Sequence, residues 1–121
     1  MTVTSVRPNC GIFENEDAAL RGIVERLTLA LDPDEIWLFG SRARGDARPD
    51  SDFDLLVVAK PDGGFDSDDY DRVDAPLRGT GVGTDLVPCS AADFRDGAEL
   101  ATSLVARVIG EGRRVYVAEK P

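Results

Sequence analysis

The chain has 121 residues, with 14 Lys+Arg against 23 Asp+Glu and no histidine, giving a formal net charge of −9 and a pI near 4.4. The missing histidines remove every Ser-His-Asp, Cys-His and His-ligated metal scheme. The acid excess disfavours nonspecific binding to nucleic acid or an anionic membrane, which needs clustered Lys and Arg. Phosphate chemistry stays open, because a metal can sit between carboxylates and phosphates.

Length and an ordinary hydrophobic fraction of 42% predict one globular domain over residues 1–121, and the order of helices and strands along it makes that domain α/β. Asn15-Glu16-Asp17 supplies caps and N-terminal negative charge for a first helix. Leu20, Ile23, Val24, Leu27 and Leu31 then recur at helical spacing until Asp32-Pro33 stops it. Ile36 to Phe39 reads as a short buried strand running into Gly40-Ser41. Arg42 to Ser51 is polar and holds Gly45 and Pro49, which predicts a loop or a single helical turn. Phe53 to Ala59, apolar on both faces after Asp54, is patterned as a central strand.

Pro61 to Gly64 is a turn, and Asp66 to Asp69 opens a short helix carrying Tyr70, Val73 and Leu77, with Pro76 near its end. The six aspartates between Asp62 and Asp74 read as a solvated loop and helix cap, or as a docking surface for a basic partner. Val82 to Val87 forms a third strand that Pro88 ends. Capping signals at Ser90 and Asp96 precede one amphipathic helix through Leu100, Leu104, Val105, Val108 and Ile109. Arg113 to Val117 alternates as a final edge strand. The expected architecture is a mixed sheet of about four strands flanked by helices.

Met1 to Cys10 has no apolar leader core or small-residue cleavage site. The longest aliphatic run, Leu55 to Ala59, falls far below the ~20 residues that cross a bilayer. The expectation is a cytoplasmic protein with no membrane partner. Cys10 and Cys89 form no CxxC pair and read as idle thiols.

Gly40-Ser41 ends one strand, and Asp52-Phe53-Asp54 begins the next. A glycine lets backbone approach a phosphate closely, and neighbouring N–H groups with a serine hydroxyl can bind its oxygens. Residues i and i+2 of a strand share a face, so Asp52 and Asp54 are expected side by side. Paired carboxylates resist joint ionisation unless a cation lies between them, and Mg²⁺, a hard ion that shares carboxylates with substrate phosphates, suits them.

Other acidic and glycine-rich patterns fail on detail. Asp50 to Asp54 matches three EF-hand ligand positions, but Leu55 stands where glycine is required and Pro61 where the bidentate glutamate belongs. Gly79 to Gly83 precedes a strand instead of opening a helix, so it is no dinucleotide loop and reads as a flexible connection. A glycosyltransferase-type Asp-x-Asp belongs to folds much larger than this chain.

Gly40-Ser41-Arg42-Ala43-Arg44-Gly45 followed by Ser51-Asp52-Phe53-Asp54-Leu55-Leu56-Val57 resembles the Gly-Ser-x10-Asp-x-Asp signature of the DNA polymerase β-like nucleotidyltransferase superfamily. The whole chain, with its closing Glu111 to Tyr116, resembles the minimal nucleotidyltransferase (MNT) branch. The resemblance implies a third carboxylate on a later strand. Asp85, the only acid between Asp74 and Asp93, is expected in that role. It further implies transfer of a nucleoside monophosphate, usually AMP from ATP, to a hydroxyl. Asp52, Asp54 and Asp85 would hold two Mg²⁺ ions, with Asp85 helping to deprotonate the acceptor. Gly40 and Ser41 would grip the β,γ-phosphates, and Arg42 and Arg44 would meet the leaving charge, unless they turn to solvent or pair with Asp46 or Asp50.

MNT proteins of this kind are typically antitoxins that modify a tyrosine of a HEPN-domain RNase toxin. A protein adenylyltransferase antitoxin is therefore the expectation. A small-molecule nucleotidyltransferase, or an antitoxin that acts by binding alone, are the alternatives.

Overall fold

The sequence places its longest apolar-periodic run directly after a capping residue, and the computed structural model, which describes residues 7–119, forms helix α1 there (Glu16–Leu31). The Asn15 side chain accepts from Ala18 N–H at 2.8 Å, and Glu16 and Asp17 put negative charge at the N-terminal end of the helix dipole. The helix ends at Asp32, which takes a left-handed conformation (φ 48) and returns its N–H to Thr28.

Strand β1 (Glu35–Phe39) leads into a single helical turn, α2 (Ser41–Arg44), and then β2 (Phe53–Val58). Helix α3 (Tyr70–Asp74) continues as a 3₁₀ turn over Ala75–Leu77 before β3 (Thr84–Cys89). Two helices, α4 (Ala91–Ala98) and α5 (Leu104–Glu111), precede β4 (Arg113–Val117). The sheet is mixed, in the order β3-β2-β1-β4: β1 is antiparallel to both β2 and β4, while β2 and β3 run parallel.

Strand β2 is central and buried on both faces, as its unbroken apolar run predicts. Phe53, Leu55 and Val57 pack with Ile36 and Leu38 against the α1 side, where Ala19, Ile23 and Leu27 are fully buried. Leu56 and Val58 face the other way, onto Val105 and Val108 of α5, with Trp37, Phe39 and Phe94 closing that second cluster. The strand that carries Asp54 is thus gripped from above and below. Among the described residues, no helix is long and apolar enough to cross a membrane.

Three expectations need correction. The region after β3 holds two helices, not one: the chain breaks at 99–103, Leu100 is exposed, and Ser103 caps α5 by accepting from Ala106 N–H. The apolar repeat through Leu100 imitates helix spacing without belonging to either helix. Strand β3 runs through Pro88 instead of ending before it, and starts at Thr84 instead of Val82. It is the outermost strand, so one side of it has no neighbour to receive the N–H that proline lacks.

The segment Gly79 to Gly83 is anchored instead of loose. Thr80 is fully buried, its hydroxyl donates to Leu77 O at 2.7 Å and accepts from Val82 N–H, and its carbonyl accepts from Ile12 N–H. Thr80→Val keeps the shape and removes the hydroxyl. It is expected to cost about 1–2 kcal/mol in urea unfolding; an unchanged midpoint would mean that burial alone holds this segment.

Candidate active site

The C-terminal end of β1 and the N-terminal ends of β2 and β3 meet at one end of the sheet, and the predicted site residues converge there. Gly40 ends β1 with φ 72 and ψ −154, a conformation open to glycine and rarely to other residues. A Cβ at this position would collide with the Asp54 carboxylate. The glycine therefore admits a carboxylate, a reason beyond the phosphate approach inferred from sequence. Ser41 opens the α2 turn, which closes as Ala43 and Arg44 N–H both donate to Gly40 O at 3.1 Å.

Asp52 stands one residue before β2, and Asp54 is the second residue in it. Asp54 lies opposite Phe39 on β1 and opposite Asp85 on β3. The parallel register thus delivers Asp85 beside Asp54, where the third carboxylate is expected. Asp52 and Asp85 are exposed and Asp54 is half-buried. Burial first, then the charges of Asp85 and Asp52, hold the Asp54 carboxyl above its ordinary range, against a smaller lowering by Arg44.

Among the described residues, no three acidic, cysteine or histidine side chains converge tightly enough to cage an ion unaided. An all-protein cage is not what Mg²⁺ asks for: it keeps several waters and shares one or two carboxylates with substrate phosphates. A half-buried carboxylate raised by two like charges is the donor set that such a cation would relieve. The residues present fit it.

The two arginines part company. Arg44 is exposed and pairs with Asp46 at 3.2 Å and Glu111 at 3.6 Å. Its field still reaches Asp54. Arg42 turns inward: its side chain is only 10% exposed, and it pairs with Glu16 at 3.0 Å. Its Nε and Nη2 donate to Ser51 O at 2.9 and 2.8 Å, and Nη2 also to Pro49 O at 3.0 Å. The guanidinium lies over the Phe53 ring, 4.1 Å from its centroid. Arg42 is thus neither turned to solvent nor paired with Asp46 or Asp50, because its donors are engaged by backbone carbonyls and Glu16.

Nothing in the sequence singles out Asn9, yet it is bonded into the site. Its Nδ2 donates to Ser51 O and Gly83 O, at 2.9 and 2.8 Å, and its Oδ1 accepts from Gly83 N–H at 2.7 Å. A lone asparagine in an unpatterned segment carries no sequence signal for that role. The aspartates from Asp62 to Asp74 are exposed, with Phe65 and Val73 between them buried, and Asp69 caps α3. An apolar groove of about 550 Å³ between α1 and β4, lined by Leu20, Val24, Leu29, Val115 and Tyr116, lies at the sheet edge remote from β3 and holds none of the predicted residues.

The family described as nucleotidyltransferase domain matches residues 18–115. Among solved structures, the chain is similar to one assigned as a nucleotidyltransferase from Sulfolobus solfataricus. The two share 27% identity over 84% of this chain and 79% of that one, with a TM-score of 0.56. It also shares its fold with a chain of a toxin-antitoxin structure solved with AMP-PNP, at 21% identity over 82% of this chain and 73% of that one, with a TM-score of 0.55. Among curated proteins, none matches the sequence.

The raised Asp54 carboxyl has a sign that can be measured. Its folded pKa exceeds its unfolded one, so folding favours the protonated form. Stability in the absence of divalent ions should fall as pH rises from the ordinary carboxylate range through the raised value. Asp54→Asn mimics the protonated form. It is expected to melt at a higher temperature than the parent at pH 7 without metal, and a lower melting temperature would contradict this electrostatic reading.

Proposed function

The chain belongs to the nucleotidyltransferase domain family, and on that premise we propose that it moves AMP from ATP to a hydroxyl of a partner protein, acting as the antitoxin to a HEPN-type RNase toxin. The observation that carries the chemistry is the register that sets Asp85 against Asp54, with Asp52 two residues away and the Gly40-Ser41 turn beside them. The shared fold with a chain of a toxin-antitoxin structure holding AMP-PNP is in keeping with the nucleotide and the setting.

The reaction forms a bond from the acceptor oxygen to the α-phosphorus and breaks the bond to pyrophosphate. Two Mg²⁺ ions held by Asp52, Asp54 and Asp85 would supply charge neutralisation at the α-phosphate and a more acidic acceptor hydroxyl. Asp85, the exposed member next to Asp54, takes up the hydroxyl proton. Gly40 leaves room for Asp54, and the backbone N–H groups and Ser41 hydroxyl of the same turn would bind phosphate oxygens of the nucleotide. Arg44 is the arginine that can swing to the leaving pyrophosphate, since its surface ion pairs are weak and it already stands in the field of Asp54. Arg42 is committed elsewhere.

The acceptor belongs to the partner. The exposed aspartates from Asp62 to Asp74 suit a basic surface on it.

Incubated with Mg²⁺, ATP and a co-expressed HEPN partner, the chain should add mass increments of AMP to the partner. A toxin silenced without any mass gain would sink the enzymatic reading and favour inhibition by binding. Asp52→Asn should slow transfer on the order of 10³-fold or more, while Asp69→Asn leaves the chemical step unchanged at saturating partner. Equal rates for Asp52→Asn and the parent would refute the site.

A further inference from the structure

The three aspartates sit on two separate stretches of backbone, and neither stretch is held in place by the aspartates themselves. Asp52 and Asp54 follow the 48–51 loop, while Asp85 follows Gly83. One backbone bond, Phe53 N–H to Gly83 O at 3.1 Å, begins the pairing of β2 with β3 at this end. Two like charges face each other one residue further on, so repulsion works against that pairing where it starts. Something must hold the ends together.

The Asn9 side chain does so directly. Its Nδ2 supplies both N–H donors, one to Ser51 O and one to Gly83 O, and its Oδ1 takes the Gly83 N–H. Only this orientation of the amide satisfies all three bonds, since the two carbonyls can only accept and the Gly83 N–H can only donate. Its own backbone N–H donates to Pro49 O at 2.8 Å. One residue thus grips the residue before Asp52 and the residue two before Asp85. Gly83 is in addition so near the Asp52 carboxylate that a Cβ there would strike it.

Arg42 holds the other side of the same carbonyl. Its fork and the Asn9 amide converge on Ser51 O, and its ring stacking fixes Phe53, the residue between Asp52 and Asp54. The ion pair to Glu16 fastens the fork to the first turn of α1. With so little of the side chain in water, the charge needs those partners to remain in place.

We propose that Asn9 and Arg42 are positioning residues that set the spacing of Asp52, Asp54 and Asp85 by clamping the Ser51 carbonyl and Gly83. The inference rests on reading those aspartates as the cation-dependent site. Groups that orient the carriers of metal ligands typically change affinity or rate by 10–100-fold when removed. The isosteric Asn9→Asp keeps the volume and loses both donors, and it sets a carboxylate against two carbonyls. Arg42→Lys keeps the charge near Glu16 and loses the fork.

The test uses the full chain, with Mn²⁺ as a spin probe titrated in the presence of a non-hydrolysable ATP analogue, hydrogen exchange at the Gly83 amide, and circular dichroism to count folded protein. In Asn9→Asp the Gly83 amide should exchange faster and Mn²⁺ should bind about tenfold more weakly per folded molecule. Any transfer activity should lose kcat more than it raises KM for ATP. Arg42→Lys should move Mn²⁺ affinity in the same direction, which keeps the test alive if Asn9→Asp fails to fold. Folded variants that bind Mn²⁺ like the parent would overturn the clamp. Asp52→Asn serves as the reference: if it too binds Mn²⁺ like the parent, the site reading fails and takes the clamp with it, whereas loss in Asp52→Asn alone rejects only the clamp.

Discussion

Parallel pairing of β2 with β3 sets Asp54 against Asp85, and the rest of the domain is arranged to tolerate that contact. Like charges opposite each other on neighbouring strands are destabilising, and partial burial of one of them adds to the strain. The four residues that follow Asp54 are buried on both sides, between α1 on one face and α5 on the other. A strand held that firmly cannot slip by one residue without turning its apolar side chains out of one cluster and into the other. The hydrophobic sandwich therefore keeps the carboxylates where their own electrostatics would not.

Around this contact the polar groups are divided by purpose. Gly40 removes a side chain so that Asp54 can sit against the β1 turn. Arg42 and Asn9 turn inward and spend their donors on backbone carbonyls, while Arg44 remains at the surface with exchangeable partners. Two arginines separated by one residue in a single helical turn thus take opposite roles, decided by which side of the turn each occupies. The exposed guanidinium makes surface ion pairs whose field reaches Asp54, and the buried one is held by backbone carbonyls and Glu16.

How far the sequence foretold this depends on how local each signal is. The Gly-Ser turn, the Asp-x-Asp pair and the central strand behind them lie within twenty residues, so residue type and periodicity expose them. Asp85 needed the resemblance as well, because an isolated aspartate at a strand border is ordinary, and its partner is chosen by a strand pairing that no local pattern encodes. The roles of Arg42 and Asn9 were illegible: each is fixed by bonds to residues that tertiary structure brings near, in Asn9's case from 42 and 74 positions away. The same limit explains the single helix expected after β3, where Leu100 continued an apolar rhythm although the backbone had already left the helix.

Asn9 also lies outside the segment, residues 18–115, over which the chain matches its family. A version trimmed to that shared segment would retain Asp52, Asp54 and Asp85, the glycine turn, Arg42 and Arg44, and would lose Glu16 and the amide that joins Ser51 to Gly83. Any judgement of competence made by checking for the signature residues would pass such a fragment as whole. The boundary within which the family is recognisable and the boundary within which the carboxylates are held together against their repulsion are different lines on the chain.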